Sequence, residues 1–357
     1  MTGSGSRRIA VGLSGGVDSS VAAALLVKEG WEVVGLTLKV WDRSRCCSLE
    51  DADDARRVAR HLGIPFYVLD AHAAFAADVV EPFVRSYAGG RTPNPCVLCN
   101  RRIKFGWLLD RSRALGCGAL ATGHYARLEG EGPARRLRKG ADLAKDQSYF
   151  LVPEGPSVLE RLRFPLGGMT KAEVRRFAAE RGLPVARKAE SQDVCFLPEG
   201  GLASFLEDRL GTRPGDIVDA EGTVLGRHRG VHAYTVGQRR GLGVAARERL
   251  HVLAVHPGKG QVVVGPRREA LAQGLRTGEP VWLARPPDGP RRCAVKIRSA
   301  APEVACRVEE RDGGLLVTFV EPQFGVAPGQ LAVFYEGDVV LGGAWIEEAV
   351  TAVGRGR

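Results

Sequence analysis

Ile9-Ala10-Val11-Gly12-Leu13-Ser14-Gly15-Gly16-Val17-Asp18-Ser19 is the stretch whose reading decides the fold. The apolar run Ile9 to Leu13 reads as a buried strand, and a helical pattern carrying Val21, Leu25 and Leu26 follows the two glycines. Glycine lets the backbone turn sharply at little steric cost. A helix beginning at about Asp18 brings unpaired N–H groups and the positive end of its dipole to one spot. Such a spot binds phosphate. It is not a Walker A loop, because no lysine follows the glycines at the required spacing.

Working outward, strand and helix patterns alternate. Residues 32–38 read as a strand, and Ser48-x-x-Asp51 as a capping box. The helix behind it carries Ala55, Val58, Ala59 and Leu62 on one face and closes at Gly63. Residues 66–69 read as the next strand, followed by a helix around 75–87 and another over 103–115. A strand over 119–122 then ends at Gly123-His124-Tyr125. Such alternation predicts an α/β class, doubly wound, Rossmann-like parallel sheet with ligands at the carboxyl ends of its strands, where Gly15, Leu38 and Gly123 fall.

Thr170-x-x-Glu173 is a second capping box, with Val174, Phe177 and Ala178 as its buried stripe and Gly182 and Pro184 as its stop. From about Pro214 the texture changes to short β-like segments between Gly-rich turns, at 261–264, 294–298, 315–319 and 331–335. The division expected is a catalytic domain over 1–205, a small central mixed or β module over 206–275 and a C-terminal β-barrel over 276–357. Loops near 130–133 and 285–290 read as linking segments.

Lys and Arg number 51 against 41 Asp and Glu, a balance of +10 that favours a polyanionic partner such as nucleic acid. The Arg135-Arg136-x-Arg138-Lys139 run reads as a solvated face or part of that patch. No secretory h-region precedes the first strand, and the longest apolar run, 21–27, is far short of a membrane span. A cytoplasmic setting without a membrane partner is therefore expected, and the eight cysteines should be thiols, ligands or redox-active groups rather than a disulfide scaffold. Seven histidines without compact spacing give zinc little support.

Cys96-x-x-Cys99 lies directly behind Arg91-Thr92-Pro93-Asn94-Pro95, and Cys195 lies far downstream beside Phe196. The pair alone fits a thioredoxin-like motif, a metal clamp or a sulfur-handling site. Cys46, Cys47, Cys117, Cys293 and Cys306 read as structural.

The Ser14–Ser19 loop resembles the pyrophosphate loop of ATP pyrophosphatases. It stands in order with Arg91–Pro95 and Cys99-Asn100, Ala121-Thr122-Gly123-His124-Tyr125, Lys145-Asp146-Gln147-Ser148-Tyr149-Phe150 and Cys195-Phe196. Thr235-x-Gly237-Gln238-Arg239, Pro328-Gly329-Gln330 and Leu341-Gly342-Gly343 complete the series. Together they resemble the tRNA-specific 2-thiouridylase family over nearly the whole chain. That resemblance implies ATP-dependent replacement of the C2 oxygen of the wobble uridine of tRNA by sulfur: adenylation first, then sulfur attack with loss of AMP.

It implies that Gly12, Leu13, Ser14, Gly15, Gly16, Val17, Asp18, Ser19, Leu38 and Gly123 bind ATP with Mg²⁺. Asn94, Pro95, Cys96, His124, Lys145, Asp146, Gln147, Arg298, Ser299 and Gln330 would contact tRNA. Cys195 would carry a persulfide, and Cys99 would release the sulfur through a Cys99–Cys195 disulfide or act as the nucleophile. Cys96 is counted with Cys99 and Cys195 among the catalytic residues, but a well-known version of the pattern has aspartate where Cys96 stands, so the acid–base role open to that aspartate is not carried over to it. Cys96, Cys99 and Cys195 can alternatively be read as ligands of an iron–sulfur cluster. A sulfur-donor protein or sulfide is implied as partner, and the chain is expected to act as a monomer. Two competing readings are an ATP-dependent small-molecule ligase or amidotransferase, which needs neither Cys99 nor Cys195, and a non-catalytic RNA-binding protein.

Overall fold

A computed structural model describes residues 7–41, 49–152, 154–189, 194–198 and 200–351, which form two compact units. Ser48, Cys46, Cys47 and the segment 190–193 lie outside the described residues, so the first capping box has no structural account.

The first unit holds residues 7–80, 95–197 and 338–340. Its centre is a five-stranded parallel sheet in the order β3-β2-β1-β4-β7, made of β1 (Arg8–Gly12), β2 (Glu32–Lys39), β3 (Phe66–Asp70), β4 (Ala119–Ala121) and β7 (Leu162–Arg163). β1 is buried through Ile9, Ala10 and Val11, as a strand covered by helices on both faces must be. Helix α1 (Val17–Lys28) is buried on nearly every side by Val21, Ala22, Ala23 and Leu26, whereas α2 (Leu49–Leu62) turns one face inward through Ala55, Val58 and Ala59. Because β1 is followed in space by β2 on one side and β4 on the other, the strand order reverses at β1. The crevice at the carboxyl ends of β1 and β4 is the position where such sheets bind ligands.

The helical run α3 spans 72–88, its last eight residues belonging to the second unit. The next helical run, α4, spans 95–114 and is wound with wide π-type turns from Cys99 to Leu108. The expected helix over 103–115 thus begins eight residues earlier, because Pro95 has no N–H to leave unpaired and suits a first helical turn. The loop near 130–133 is the connection of a hairpin, β5 (Ala126–Glu129) and β6 (Arg136–Lys139), with Arg138 opposite Val339. Arg127 and Arg138 both pair with Asp338 and Glu129, and Arg135 donates to the Leu162 carbonyl, so this basic run is largely occupied within its own unit. The second capping box is present in both directions: Thr170 Oγ1 accepts from the Glu173 N–H and Glu173 Oε2 accepts from the Thr170 N–H at the start of α5 (Lys171–Glu180).

The second unit contains helix α6 (Gly201–Leu210) and a four-stranded sheet in the order β10-β11-β8-β9, from β8 (Gly215–Val218), β9 (Val224–His228), β10 (Leu250–His256) and β11 (Gln261–Pro266), around Ile217, Val252, Val262 and Val264. It also contains an antiparallel six-stranded barrel of β12 (Leu271–Thr277), β14 (Arg291–Lys296), β15 (Val304–Arg311), β16 (Gly314–Phe324), β17 (Leu331–Glu336) and β18 (Val339–Thr351). The short β13 (Val281–Trp282) pairs with β18, and β12 closes the barrel by pairing with both β16 and β18.

Candidate active site

A cavity of about 520 Å³ opens at the carboxyl end of the parallel sheet, within the range of ligand-binding clefts. Its floor is the phosphate-type loop. Gly15 has φ of +70°, and a Cβ there would sit 2.2 Å from the Asp51 carbonyl oxygen, so only glycine allows the loop to close onto the start of α2. The two serines organise the turn. Ser14 N–H donates to Ser19 Oγ at 3.1 Å, the two hydroxyls are 3.2 Å apart, and Ser19 Oγ also reaches the Gly16 carbonyl. Thr37 on β2 donates to the Leu13 carbonyl at 2.6 Å and fixes the strand end beneath.

Asp18, on the first turn of α1, accepts from Tyr125 Oη at 2.8 Å and from Lys171 Nζ at 2.7 and 2.8 Å. Asp51 accepts from Lys188 Nζ at 2.7 Å. The wall includes four lysines, Lys104, Lys145, Lys171 and Lys188, against two aspartates, Asp18 and Asp51. This excess of positive charge suits a polyphosphate. The same two carboxylates, beside phosphate, are the oxygen donors that Mg²⁺ uses when substrate phosphates supply part of its shell, so the residues fit that ion.

Cys96 and Cys99 enter the cavity wall from the N-terminal turns of α4, where the helix dipole favours anions. Two hydrogen bonds tie this helix to the Lys145–Phe150 motif and its extension: Asn100 Nδ2 donates to the Phe150 carbonyl and Arg101 Nε to the Val152 carbonyl, each at 2.9 Å. Cys195 lies on the same wall, half-buried. It is anchored by Phe196, which is 2% exposed and packs edge-on against Phe75 at 5.8 Å.

His124 also lines the cavity. Burial, assisted by Lys104, holds its imidazole neutral, with a pKa well below the usual range. Nδ1 is 2.7 Å from Thr122 Oγ1 and Nε2 is 3.4 Å from Lys104 Nζ. Lys104 can only donate, so the network assigns the proton to Nδ1 and leaves Nε2 the acceptor.

The sequence-derived residues therefore divide. Ser14, Gly16, Val17, Asp18 and Leu38 line the cavity, as do Pro95, Cys96, Cys99, His124, Lys145, Gln147 and Cys195. Gly12, Leu13, Gly15, Ser19 and Gly123 shape it from behind: a Cβ at Gly123 would meet the Asp18 carbonyl carbon at 2.7 Å. Asn94 is buried just before α4. Asp146 turns its carboxylate to the N–H groups of Gly140 and Ser148 and to the Ser148 hydroxyl, which makes it a turn organiser.

Arg298, Ser299 and Gln330 belong to the second unit. There Arg298 Nη2 donates to the Val236 and Gly325 carbonyls, and Gln330 Nε2 to the Thr92 carbonyl. Among the described residues no three His, Cys, Asp or Glu side chains converge as metal ligands. Cys96, Cys99 and Cys195 all line the one cavity, an arrangement open to persulfide chemistry and to cluster ligation alike. Lys104, Asp51, Tyr125, Lys171 and Lys188 were missed by the sequence reading. Only Asp51 and Tyr125 stood inside a quoted motif; the three lysines are scattered over 85 residues and only the fold gathers them.

Comparison with known proteins supplies three matches along the chain: residues 7–199 to the tRNA methyl transferase HUP domain, 203–266 to the tRNA methyl transferase PRC-barrel domain and 272–346 to the aminomethyltransferase beta-barrel domain. The chain is 50% identical to the tRNA-specific 2-thiouridylase MnmA of Geobacter metallireducens, over 98% of its own length and 100% of the relative's. It is 49% identical to that of Acidothermus cellulolyticus, over 95% and 97%. Among solved structures, the U34-tRNA thiolase NcsA from Methanococcus maripaludis with its [4Fe-4S] cluster aligns with a TM-score of 0.36 at 20% identity, covering 56% of this chain and 63% of that one.

Proposed function

The chain belongs to the tRNA-specific 2-thiouridylase family, and from that premise we propose how its own residues carry out ATP-dependent thiolation of the wobble uridine of tRNA. The observation that carries the reading is that the phosphate loop with its lysines and the cysteines Cys99 and Cys195 share one cavity.

The triphosphate of ATP lies on the Ser14–Ser19 loop, held by backbone N–H groups at the start of α1 and by Lys171 and Lys188. Asp18 and Asp51 would hold Mg²⁺, which neutralises charge on the departing pyrophosphate. An amide-like carbonyl oxygen is a poor leaving group. Attack of the uridine C2 oxygen on the α-phosphorus converts it into an adenylate and expels pyrophosphate. Lys145 and Gln147, on the cavity wall, meet the RNA backbone and sugar edges, and neutral His124 orients Lys104 beside them through Nε2.

Cys195 receives a sulfane sulfur from a persulfide-bearing donor. Its terminal sulfur attacks C2, and the C2–O bond breaks with AMP as the leaving group. The Cys99 thiolate then attacks the Cys195 sulfur. The S–S bond to the new C2 sulfur breaks, 2-thiouridine leaves, and a Cys99–Cys195 disulfide remains for a thiol reductant to reopen. Thiolates do this chemistry best in a partly exposed, positive setting, and the lysines and the α4 N-terminus supply one.

The test is mass spectrometry of nucleosides from unmodified tRNA incubated with enzyme, ATP, Mg²⁺ and a persulfide donor. Wild-type protein should yield ATP-dependent 2-thiouridine. Cys99→Ser and Cys195→Ser should yield none while still binding tRNA. Product from either variant at the wild-type rate removes that cysteine from the mechanism, and ATP cleavage without any need for tRNA favours a small-molecule ligase instead.

A further inference from the structure

The C-terminal barrel contains two thiols for which the thiolation chemistry has no use. Cys293 on β14 and Cys306 on β15 are direct partners in the antiparallel register, with Sγ atoms 3.6 Å apart. Strand alternation places them on the same side as Val295 and Val308, both buried, so the pair faces the barrel interior. Cys306 is 2% exposed, while Cys293, two residues into its strand, is half-buried.

Directly opposed residues of an antiparallel pair have Cα atoms about 4.5–5.5 Å apart. A disulfide tolerates Cα separations of about 4.4–6.8 Å. The backbone is therefore already at bonding distance, and closure requires only side-chain rotation. The two thiols are also unequal. A hydrogen bond from the Cys306 S–H, together with nearby Arg291, favours the Cys293 thiolate, whereas that same bond and burial hold Cys306 protonated. Accessibility and charge thus agree on which sulfur reacts first.

We propose that Cys293 and Cys306 form a redox-responsive dithiol that closes into a cross-strand disulfide by exchange with a low-molecular-weight disulfide of the glutathione class. The Cys293 thiolate attacks one sulfur of the small disulfide, forming a mixed disulfide and releasing one small thiolate. Cys306 gives up its proton and attacks the Cys293 sulfur, releasing the second. In sum, two protein thiols are oxidised and one small disulfide is reduced to two thiols. Closure pins β14 to β15 immediately before Arg298, whose guanidinium clamps the Val236 and Gly325 carbonyls. Oxidation therefore cross-links the strand that ends two residues before Arg298.

The experiment treats the reduced full-length protein with oxidised glutathione, alkylates the remaining thiols and maps the peptides by mass spectrometry without reduction. The wild-type chain should give a Cys293–Cys306 linked peptide pair, lighter than the reduced pair by two hydrogen atoms, which dithiothreitol abolishes. Cys306→Ser should instead retain glutathione on Cys293, and Cys293→Ser should leave Cys306 alkylated. Persistent glutathione on Cys293 of the wild-type chain, or alkylation of both cysteines after the treatment, would overturn the proposal.

Discussion

Gly123→Ala is the sharpest single perturbation of this site, because it changes only a steric contact. Gly123 has no positive φ, so alanine suits its backbone. The added Cβ would lie 2.7 Å from the Asp18 carbonyl carbon and from the Ser19 nitrogen, against an ordinary contact of 3.4 Å or more. The first turn of α1 must therefore retreat by 0.7 Å, the difference of those two distances, and the phosphate loop moves with it. Overpacking of this kind costs about 1–3 kcal/mol. At roughly 2–4 °C per kcal/mol for a domain of this size, Tm should fall by several degrees. The catalytic consequence is larger, since misplacing a reacting group by about 1 Å can cost roughly 100-fold. The expected result is a 10- to 100-fold loss, to order of magnitude, in ATP-dependent thiouridine formation under single-turnover conditions, with tRNA affinity unchanged. Gly168→Ala is the control, because nothing lies within 4 Å of a Cβ there and it is exposed. Wild-type turnover and wild-type Tm in Gly123→Ala would refute the claim that the end of β4 sets the position of the loop.

Thr170→Ala removes the side-chain half of the α5 capping box, the Oγ1 that accepts from the Glu173 N–H, and leaves the backbone half; the loss should be about 1 kcal/mol, read as a lower thermal midpoint of the first unit. The effect should extend to ATP binding, because Lys171, the next residue, is the partner of Asp18. The histidines predict the acid limb of stability. His124, His228 and His232 all have lowered pKa values, chiefly through burial. A base whose folded pKa lies below the unfolded value of about 6.5 binds protons preferentially when unfolded. Its contribution is thus complete above that value and is lost as pH falls toward the folded pKa. Denaturant midpoints measured between pH 7.5 and pH 5 should fall with acidification, and less steeply in His124→Gln; an unchanged slope in that variant would show that the imidazole is not held neutral.

Much was legible in the sequence because the signals were local. The strand–glycine–helix stretch at 9–21 needs no distant residue to declare itself, and neither do the Thr170 capping box or the short β-like segments between Gly-rich turns in the C-terminal part. The parallel sheet followed from alternation alone, since a parallel neighbour requires a crossover helix. Where the chain was read less well, the determinant was nonlocal. The helix carrying Cys96 and Cys99 starts at Pro95, and it is held by the carbonyls of Phe150 and Val152, some fifty residues away. Asp146 and Gln330 were legible as polar residues within motifs, but not as groups already committed to Ser148 and Thr92.

The sequence by itself determined the class of fold, the phosphate-binding turn and the presence of sulfur chemistry, because each is written in residues close along the chain or in a series of ordered motifs. Tertiary structure alone decided that Lys104, Lys171 and Lys188 charge one cavity, that Asp18 rests between Tyr125 and Lys171, and that Cys293 faces Cys306. Side chains separated by tens of residues acquire a common electrostatic and steric environment only when packing and strand register bring them within a few ångströms. Nothing in the local pattern of apolar and polar residues specifies that distance.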